Sequence, residues 1–174
     1  MRLCRESGLY NGIDCVWPWF SETIKHLSLY EQNQPLLDAP KGCGYWAFKP
    51  IILEHQMHQM LDGEFCVYAD AGIEFINNVS HIIERMDQDI FLFGNNWEHA
   101  HWCKRDVVEA VWPIDTSGGN PYFDFAGEHD EYDEWATWEQ RLGKQCQASV
   151  IFFRISDYSR KFVVEWLKIG RAHV

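Results

Sequence analysis

The chain has 174 residues, 47% of them apolar, and a formal net charge of −11. This length suits one domain with a substantial core, and the apolar fraction excludes a disordered chain. The acidic charge repels a phosphate backbone and an anionic membrane surface, so we expect no nucleic-acid partner. No apolar run approaches the length of a membrane span, so we also expect no membrane-spanning segment.

The predicted elements alternate between helix and strand along the chain. Residues 3–8 read as the end of a helix, and residues 13–17 read as a strand. Later elements are a helix from Ser21 to about Tyr30, a helix over 50–61, a strand over 65–69, a helix over 79–86, a strand over 90–93, a helix over 106–111, a long polar loop over 116–140, a strand over 149–154 and a last helix capped by Ser156 or Ser159.

The two ends of the chain read differently from its middle. The first strand of a doubly wound sheet is missing or very short in this reading, because the chain begins within a helix pattern. Residues 169–174 resemble the translation of a sequencing adapter, which indicates a gene assembled from environmental reads. We therefore expect a single truncated domain over residues 1–168, and we exclude the tail from fold reasoning.

The six cysteines include no CxxC pair, and no secretory leader precedes them. We read all six as reduced thiols, which indicates a cytoplasmic protein. The 9 Trp, 7 Tyr and 11 Phe residues fit either a heavily aromatic core or flat platforms on which sugars stack.

Alternating strands and helices favour an α/β fold with a largely parallel sheet. In such sheets ligands bind at the carboxyl ends of the strands, and Asp70 follows directly after the predicted strand over 65–69. A carboxylate followed by Ala71 and Gly72 can approach a ligand closely, and it can hold a hard divalent cation that helps a diphosphate to leave. The alternative is that Asp70 only caps a turn.

Several short segments, in this order, resemble a family of GT-A glycosyltransferases of bacteria, phages and large viruses, similar to capsular-polysaccharide enzymes. These segments are Gly44-Tyr45-Trp46-Ala47-Phe48-Lys49-Pro50, Tyr68-Ala69-Asp70-Ala71-Gly72, Trp102-Cys103-Lys104-Arg105-Asp106, Gln145-Cys146-Gln147-Ala148-Ser149 and the closing helix over 162–167. The likeness runs from about residue 7 to residue 168. It implies a GT-A (Rossmann-like), largely parallel sheet flanked by helices, here lacking its first strand.

The resemblance also implies an activity, namely transfer of a hexose from a nucleotide-diphosphate sugar to a glycan, lipid-linked or protein acceptor. Asp70 and Asp106 are then the expected catalytic residues, and Asp70 the expected ligand of Mn²⁺ or Mg²⁺. The expected substrate-binding residues are Tyr45, Trp46, Lys49, Lys104, Arg105 and Gln147. Lys49 suits phosphate because it lies at a predicted helix start.

The sequence departs from the family where an Asp-x-Asp metal motif is usual, because Gly72 stands at the second acidic position and only Glu74 is nearby. This departure leaves a second hypothesis, a non-catalytic GT-A-like carbohydrate-binding module. A third hypothesis is a zinc-dependent hydrolase built on His99, His101 and Cys103, whose imidazole and thiolate groups can ligate zinc.

Overall fold

The computed structural model describes residues 2–39, 42–98 and 144–171. The helices in these ranges are α1 (Arg2–Tyr10), α2 (Ser21–Ile24), α3 (Ser28–Gln32), α4 (Gln34–Leu37), α5 (Gly42–Tyr45), α6 (Phe48–Met57), α7 (Ser80–Ile83) and α8 (Asp157–Arg171). The strands are β1 (Phe65–Ala69), β2 (Ile90–Glu98) and β3 (Lys144–Arg154).

The strands form a three-stranded sheet in the order β1-β3-β2. β1 pairs antiparallel with β3, with Phe65 opposite Arg154 and Ala69 opposite Val150. β2 also runs antiparallel to β3, and the Arg154 N–H donates to the Asp89 carbonyl at 2.8 Å just before β2 begins. The last of the described strands therefore lies between the two earlier ones.

This sheet corrects the predicted fold class. The prediction of a GT-A, Rossmann-like, largely parallel sheet is wrong for the described residues, where the sheet is small and antiparallel. The physical reason is the position of β3. β1 and β2 point the same way and are joined by the crossover over residues 70–89, but they do not pair with each other, because β3 runs in the opposite direction and bonds to both.

Both faces of the sheet are covered by apolar side chains. Because side chains alternate along a strand, Cys66 and Tyr68 share one face with Ile151 and Phe153, which pack with α6 and α8. The opposite face holds Phe152, which packs with the segment around Val79 and Met86 and with the partly buried side chains of Ile13, Val67, Phe75 and Val150.

The N-terminal third is mostly short helices. The predicted strand over residues 13–17 is wrong, since these residues have no strand ladder and Trp17 is half-exposed. The helix predicted from Ser21 to Tyr30 is divided into α2 and α3. The helix predicted at the start of the chain is confirmed by α1.

The other predicted elements within the described residues are present, with changed bounds. The strand over 65–69 is confirmed as predicted, and the strands over 90–93 and 149–154 are both longer. The predicted helix over 50–61 lies at 48–57, and the one over 79–86 shortens to α7. The predicted helix over 106–111 and loop over 116–140 lie outside the described residues.

The helix α8 is fixed at its start by a reciprocal cap. The Ser159 N–H donates to the Ser156 hydroxyl oxygen at 3.2 Å, and the Ser156 N–H donates to the Ser159 hydroxyl oxygen at 3.0 Å. This arrangement satisfies two amide groups that a helix start leaves without partners. The predicted stripe is confirmed, with Val163 and Leu167 buried. α8 continues to Arg171, into the expected tail.

The chain divides into two compact units, one of residues 1–93 and 148–174 and the other of residues 94–147. The prediction of a single domain over 1–168 stays a prediction. Among the helices described, none has the length and apolar character needed to cross a membrane.

Candidate functional site

A buried lysine meets an aspartate at the carboxyl end of β1. The Lys49 Nζ lies 3.2 Å from Asp70 Oδ2 and 3.1 Å from Asp70 Oδ1, so the ammonium faces both carboxylate oxygens. The Lys49 side chain is 8% exposed, whereas that of Asp70 is 39% exposed. The pair therefore presents a carboxylate to solvent and keeps its cation inside.

The Lys49 ammonium has further partners that compensate its burial. It donates to the Ala148 carbonyl at 2.9 Å and lies 5.2 Å from the centre of the Tyr68 ring. An ammonium has three protons, and a cation over an aromatic face within about 6 Å is attracted to it. The ion pair, the carbonyl and the ring together account for the donor capacity of this lysine.

Tyr68 is the third member of the site. Its hydroxyl donates to Asp70 Oδ1 at 2.5 Å, and the residue is buried. Burial, and then the hydrogen bond to the carboxylate, raise the pKa of the Tyr68 phenol above its ordinary value. Tyr68 is therefore a neutral donor across the physiological range.

Local backbone structure sets the position of Asp70. The Asp70 N–H donates to the Ser149 carbonyl at 2.8 Å, which extends the β1–β3 pairing by one residue beyond β1. The Ile73 N–H then donates to the Asp70 carbonyl at 2.9 Å, so the chain turns immediately after the carboxylate. Ala71 and Gly72 are exposed in this turn, which leaves the approach to Asp70 open.

A tight left-handed segment positions Lys49. Gly44 has a φ of 74°, and a Cβ there would lie 2.7 Å from the Leu36 carbonyl oxygen, so only glycine fits. Trp46 has a φ of 68°, which is costly for a bulky residue, and its side chain is half-exposed. Lys49 follows in the first turn of α6, whose Ile51 and Leu53 anchor the helix in the core.

The negative charge of Asp70 also acts on the first helix. Burial raises the pKa of the Cys4 thiol, and the Asp70 carboxylate adds to this effect. The positively charged chain terminus opposes this increase in the pKa of Cys4.

The structure brings together only some of the predicted site residues. Lys49 and Asp70 are in contact, and Trp46 precedes them with a half-exposed ring. Tyr45 ends α5, and Gln147 lies exposed in β3 within the second compact unit. The remaining predicted residues lie outside the described residues: Lys104, Arg105, Asp106, and the zinc candidates His99, His101 and Cys103.

Sequence reasoning assigned no role to Tyr68, although a signal was present. Residues two apart on a strand point to the same face, so a Tyr-x-Asp pattern at a strand end places the phenol beside the carboxylate. Ala148 contributes its backbone carbonyl to the site, and no side-chain pattern indicates such a contact.

The side chains around Asp70 do not fit a resident divalent cation. The Lys49 ammonium already faces both carboxylate oxygens, and Tyr68 uses Oδ1 as well. A side chain at position 72 would meet no neighbouring atom within 4 Å, but Gly72 has no side chain and so supplies no metal ligand. Within the described part of the chain, no group of three or more His, Cys, Asp or Glu side chains is placed to hold a metal ion.

Comparisons with protein-family models, with curated proteins and with solved structures found no match to this chain.

Proposed function

We propose that this protein is a glycosyltransferase that moves a hexose from a nucleotide-diphosphate sugar to a glycan, lipid-linked or protein acceptor. The main support is the meeting of Lys49, Asp70 and Ala148 at one point. Each comes from a different segment that resembles the glycosyltransferase family, and the three are far apart in sequence. The proposal concerns the site and its chemistry, and it includes no GT-A sheet.

In this proposal Asp70 is the residue that touches substrate. Its carboxylate is partly open to solvent, and it accepts a hydrogen bond from a hydroxyl group of a sugar. Lys49 and Tyr68 act through Asp70, because their donors fix the carboxylate in one orientation. Such preorganisation lets a carboxylate bind a substrate without reorganising.

Trp46 offers a second kind of contact for the same substrate. Its ring is half-exposed, and the residue precedes Lys49 by one short turn. An aromatic face suits the apolar face of a pyranose or a nucleotide base. Tyr45, Gln147, Lys104, Arg105 and Asp106 remain proposed substrate contacts, with Asp106 as the proposed base toward the acceptor. In the described part of the chain five cysteines are free thiols, which suits the cytoplasmic location we propose.

The first test is thermal unfolding of the full chain with UDP, GDP, CDP or ADP. A ligand that binds only the native state, at about a hundred times its dissociation constant, adds about 2.7 kcal/mol. For a chain of this size that raises the midpoint by about 5 to 10 °C. We expect one diphosphate to give this shift.

The variant Asp70→Asn tests where the ligand binds. Because Asp70 is proposed to bind a sugar hydroxyl group, we expect the hexose-linked form of that diphosphate to give a smaller shift in Asp70→Asn than in wild type, and an unchanged shift in the matched variant Asp87→Asn, which changes an exposed aspartate. If no diphosphate shifts the midpoint of cooperatively folded wild-type protein, the glycosyltransferase proposal is wrong and a non-catalytic carbohydrate-binding module becomes the better account.

A further inference from the structure

The cation beside Asp70 is supplied by the chain itself. The two distances from Lys49 Nζ to the carboxylate oxygens differ by only a tenth of an ångström, 3.1 and 3.2 Å. The ammonium therefore sits between the oxygens, where a cation bound by both of them would lie. Lys49 is held there by burial and by the Ala148 carbonyl, so it is a fixed part of the site.

The remaining capacity of the carboxylate is small. A carboxylate offers about four lone-pair sites, two on each oxygen. Oδ1 accepts a hydrogen bond from Tyr68 and lies 3.1 Å from the Lys49 ammonium, and Oδ2 accepts a hydrogen bond from Lys49. One site on Oδ2 is left, which suits a single hydroxyl donor. A divalent cation there would have one protein oxygen and a fixed positive charge on the same carboxylate.

From this geometry we infer that Lys49 replaces a divalent metal ion at Asp70, so that the site binds its ligand independently of Mn²⁺ or Mg²⁺. Repulsion between the ammonium and a divalent cation on the same carboxylate opposes metal binding, and the burial of the ammonium limits how far water screens this repulsion. This inference departs from the metal ion that the family resemblance implies. Its consequence for the sugar donor rests on the proposed function, whereas the exclusion of metal from Asp70 does not.

The test measures Mn²⁺ binding to the full, nucleotide-free chain by the loss of the free Mn²⁺ electron paramagnetic resonance signal. Because the protein is acidic, weak surface binding is expected, and the comparison with Asp70→Asn separates it from binding at the site. We expect wild type and Asp70→Asn to bind Mn²⁺ equally. Tighter binding by wild type overturns the inference.

A matched pair of lysine variants tests whether the ammonium is the cause. Lys49→Met and Lys168→Met each remove one positive charge, and Lys168 is exposed and distant in sequence. We expect Lys49→Met to bind Mn²⁺ more tightly than Lys168→Met, and the gain to vanish in the Lys49→Met/Asp70→Asn double variant. Equal affinities in the two lysine variants contradict the inference.

A measurement on wild type alone covers the case in which a variant does not fold. Fe²⁺ with ascorbate and peroxide cleaves a backbone next to a bound metal ion, and we expect no cleavage around residue 70. Cleavage there overturns the inference.

For a diphosphate that binds, we expect the same dissociation constant in Mn²⁺ and in EDTA, and a requirement for Mn²⁺ also overturns the inference. If no diphosphate binds, the proposed function fails while the Mn²⁺ and cleavage measurements still decide the inference.

Discussion

Replacing Asp70 by asparagine leaves the Lys49 ammonium buried without an anionic partner, whereas replacing Lys49 by methionine leaves a carboxylate that water can reach. The asymmetry follows from exposure, since the Lys49 side chain is 8% exposed and that of Asp70 is 39% exposed. We therefore predict that Asp70→Asn destabilises the fold more than Lys49→Met, although both break the same ion pair.

The magnitude follows from the burial of each partner. Removing one partner of a fully buried ion pair costs about 3 to 5 kcal/mol. Here the Ala148 carbonyl and the Tyr68 ring still face the ammonium, and water screens the half-exposed side, so we expect about 2 kcal/mol for Asp70→Asn. Lys49→Met keeps the buried alkyl chain and leaves Asp70 hydrated, so we expect about 1 kcal/mol or less.

Urea unfolding with linear extrapolation measures both values. The exposed pair of Lys168 and Glu165, at 2.7 Å, provides the control, and Glu165→Gln should change stability by no more than about 0.5 kcal/mol. A result in which Lys49→Met is the more destabilising variant would refute the reasoning, because it would mean that the ammonium is not the poorly hydrated partner.

Three further predictions concern the fold and its titrating groups. Phe153→Ala should lower the free energy of unfolding by about 3 to 5 kcal/mol, measured in urea, because this ring is 0% exposed on the face of β3 that packs with α6 and α8. A decrease below about 1 kcal/mol would contradict the described core. Burial raises the pKa of the Cys66 thiol to about 11, so alkylation at pH 8 followed by mass spectrometry should modify exposed Cys15 well before Cys66; equal rates would contradict the burial. The hydrogen bond to Asp38, with burial, raises the pKa of Tyr30 to about 12, and the pKa of Tyr68 is raised too. The unfolded chain then loses these protons first, so the free energy of unfolding should be unaffected by them below about pH 10 and fall between about pH 10 and 12, less steeply in Tyr30→Phe.

The parts of the fold that the sequence predicts well are those with strong local signals. β1 is an apolar run between Asp62-Gly63 and Asp70, and α8 has a serine cap and a helical stripe ending in Leu167. In both cases the local pattern and the tertiary environment agree, so no distant contact changes the outcome.

Strand direction and order are not local properties, and the prediction failed there. The alternation of strands and helices favoured parallel pairing, but β3 lies between β1 and β2. Residues 13–17 failed for a related reason. An extended apolar segment becomes a strand only where another strand edge accepts its amide groups, and Pro18 directly after it has no amide proton to give.

The site was predicted in part for the same reason. The apolar run of β1 placed Asp70 directly after a strand, and Pro50 placed Lys49 at a helix start, although the rule that ligands bind at strand ends applies to parallel sheets and not to this one. Their direct contact could not be predicted, because it depends on how far α6 packs over the sheet and on the Ala148 carbonyl. The expectation that Lys49 faces a phosphate stays a prediction; a phosphate would have to compete with the partners that the buried ammonium already has.

The most direct test of the central claim is turnover of a nucleotide-diphosphate sugar. Purified full-length chain is incubated with UDP-, GDP-, CDP- or ADP-linked hexoses and a mixed glycan acceptor, and release of the nucleoside diphosphate is followed beside Asp70→Asn and Asp87→Asn. The account predicts release from one donor by wild type and Asp87→Asn, and loss of most of it in Asp70→Asn. Release that is unchanged in Asp70→Asn would contradict the claim that the chemistry centres on Asp70.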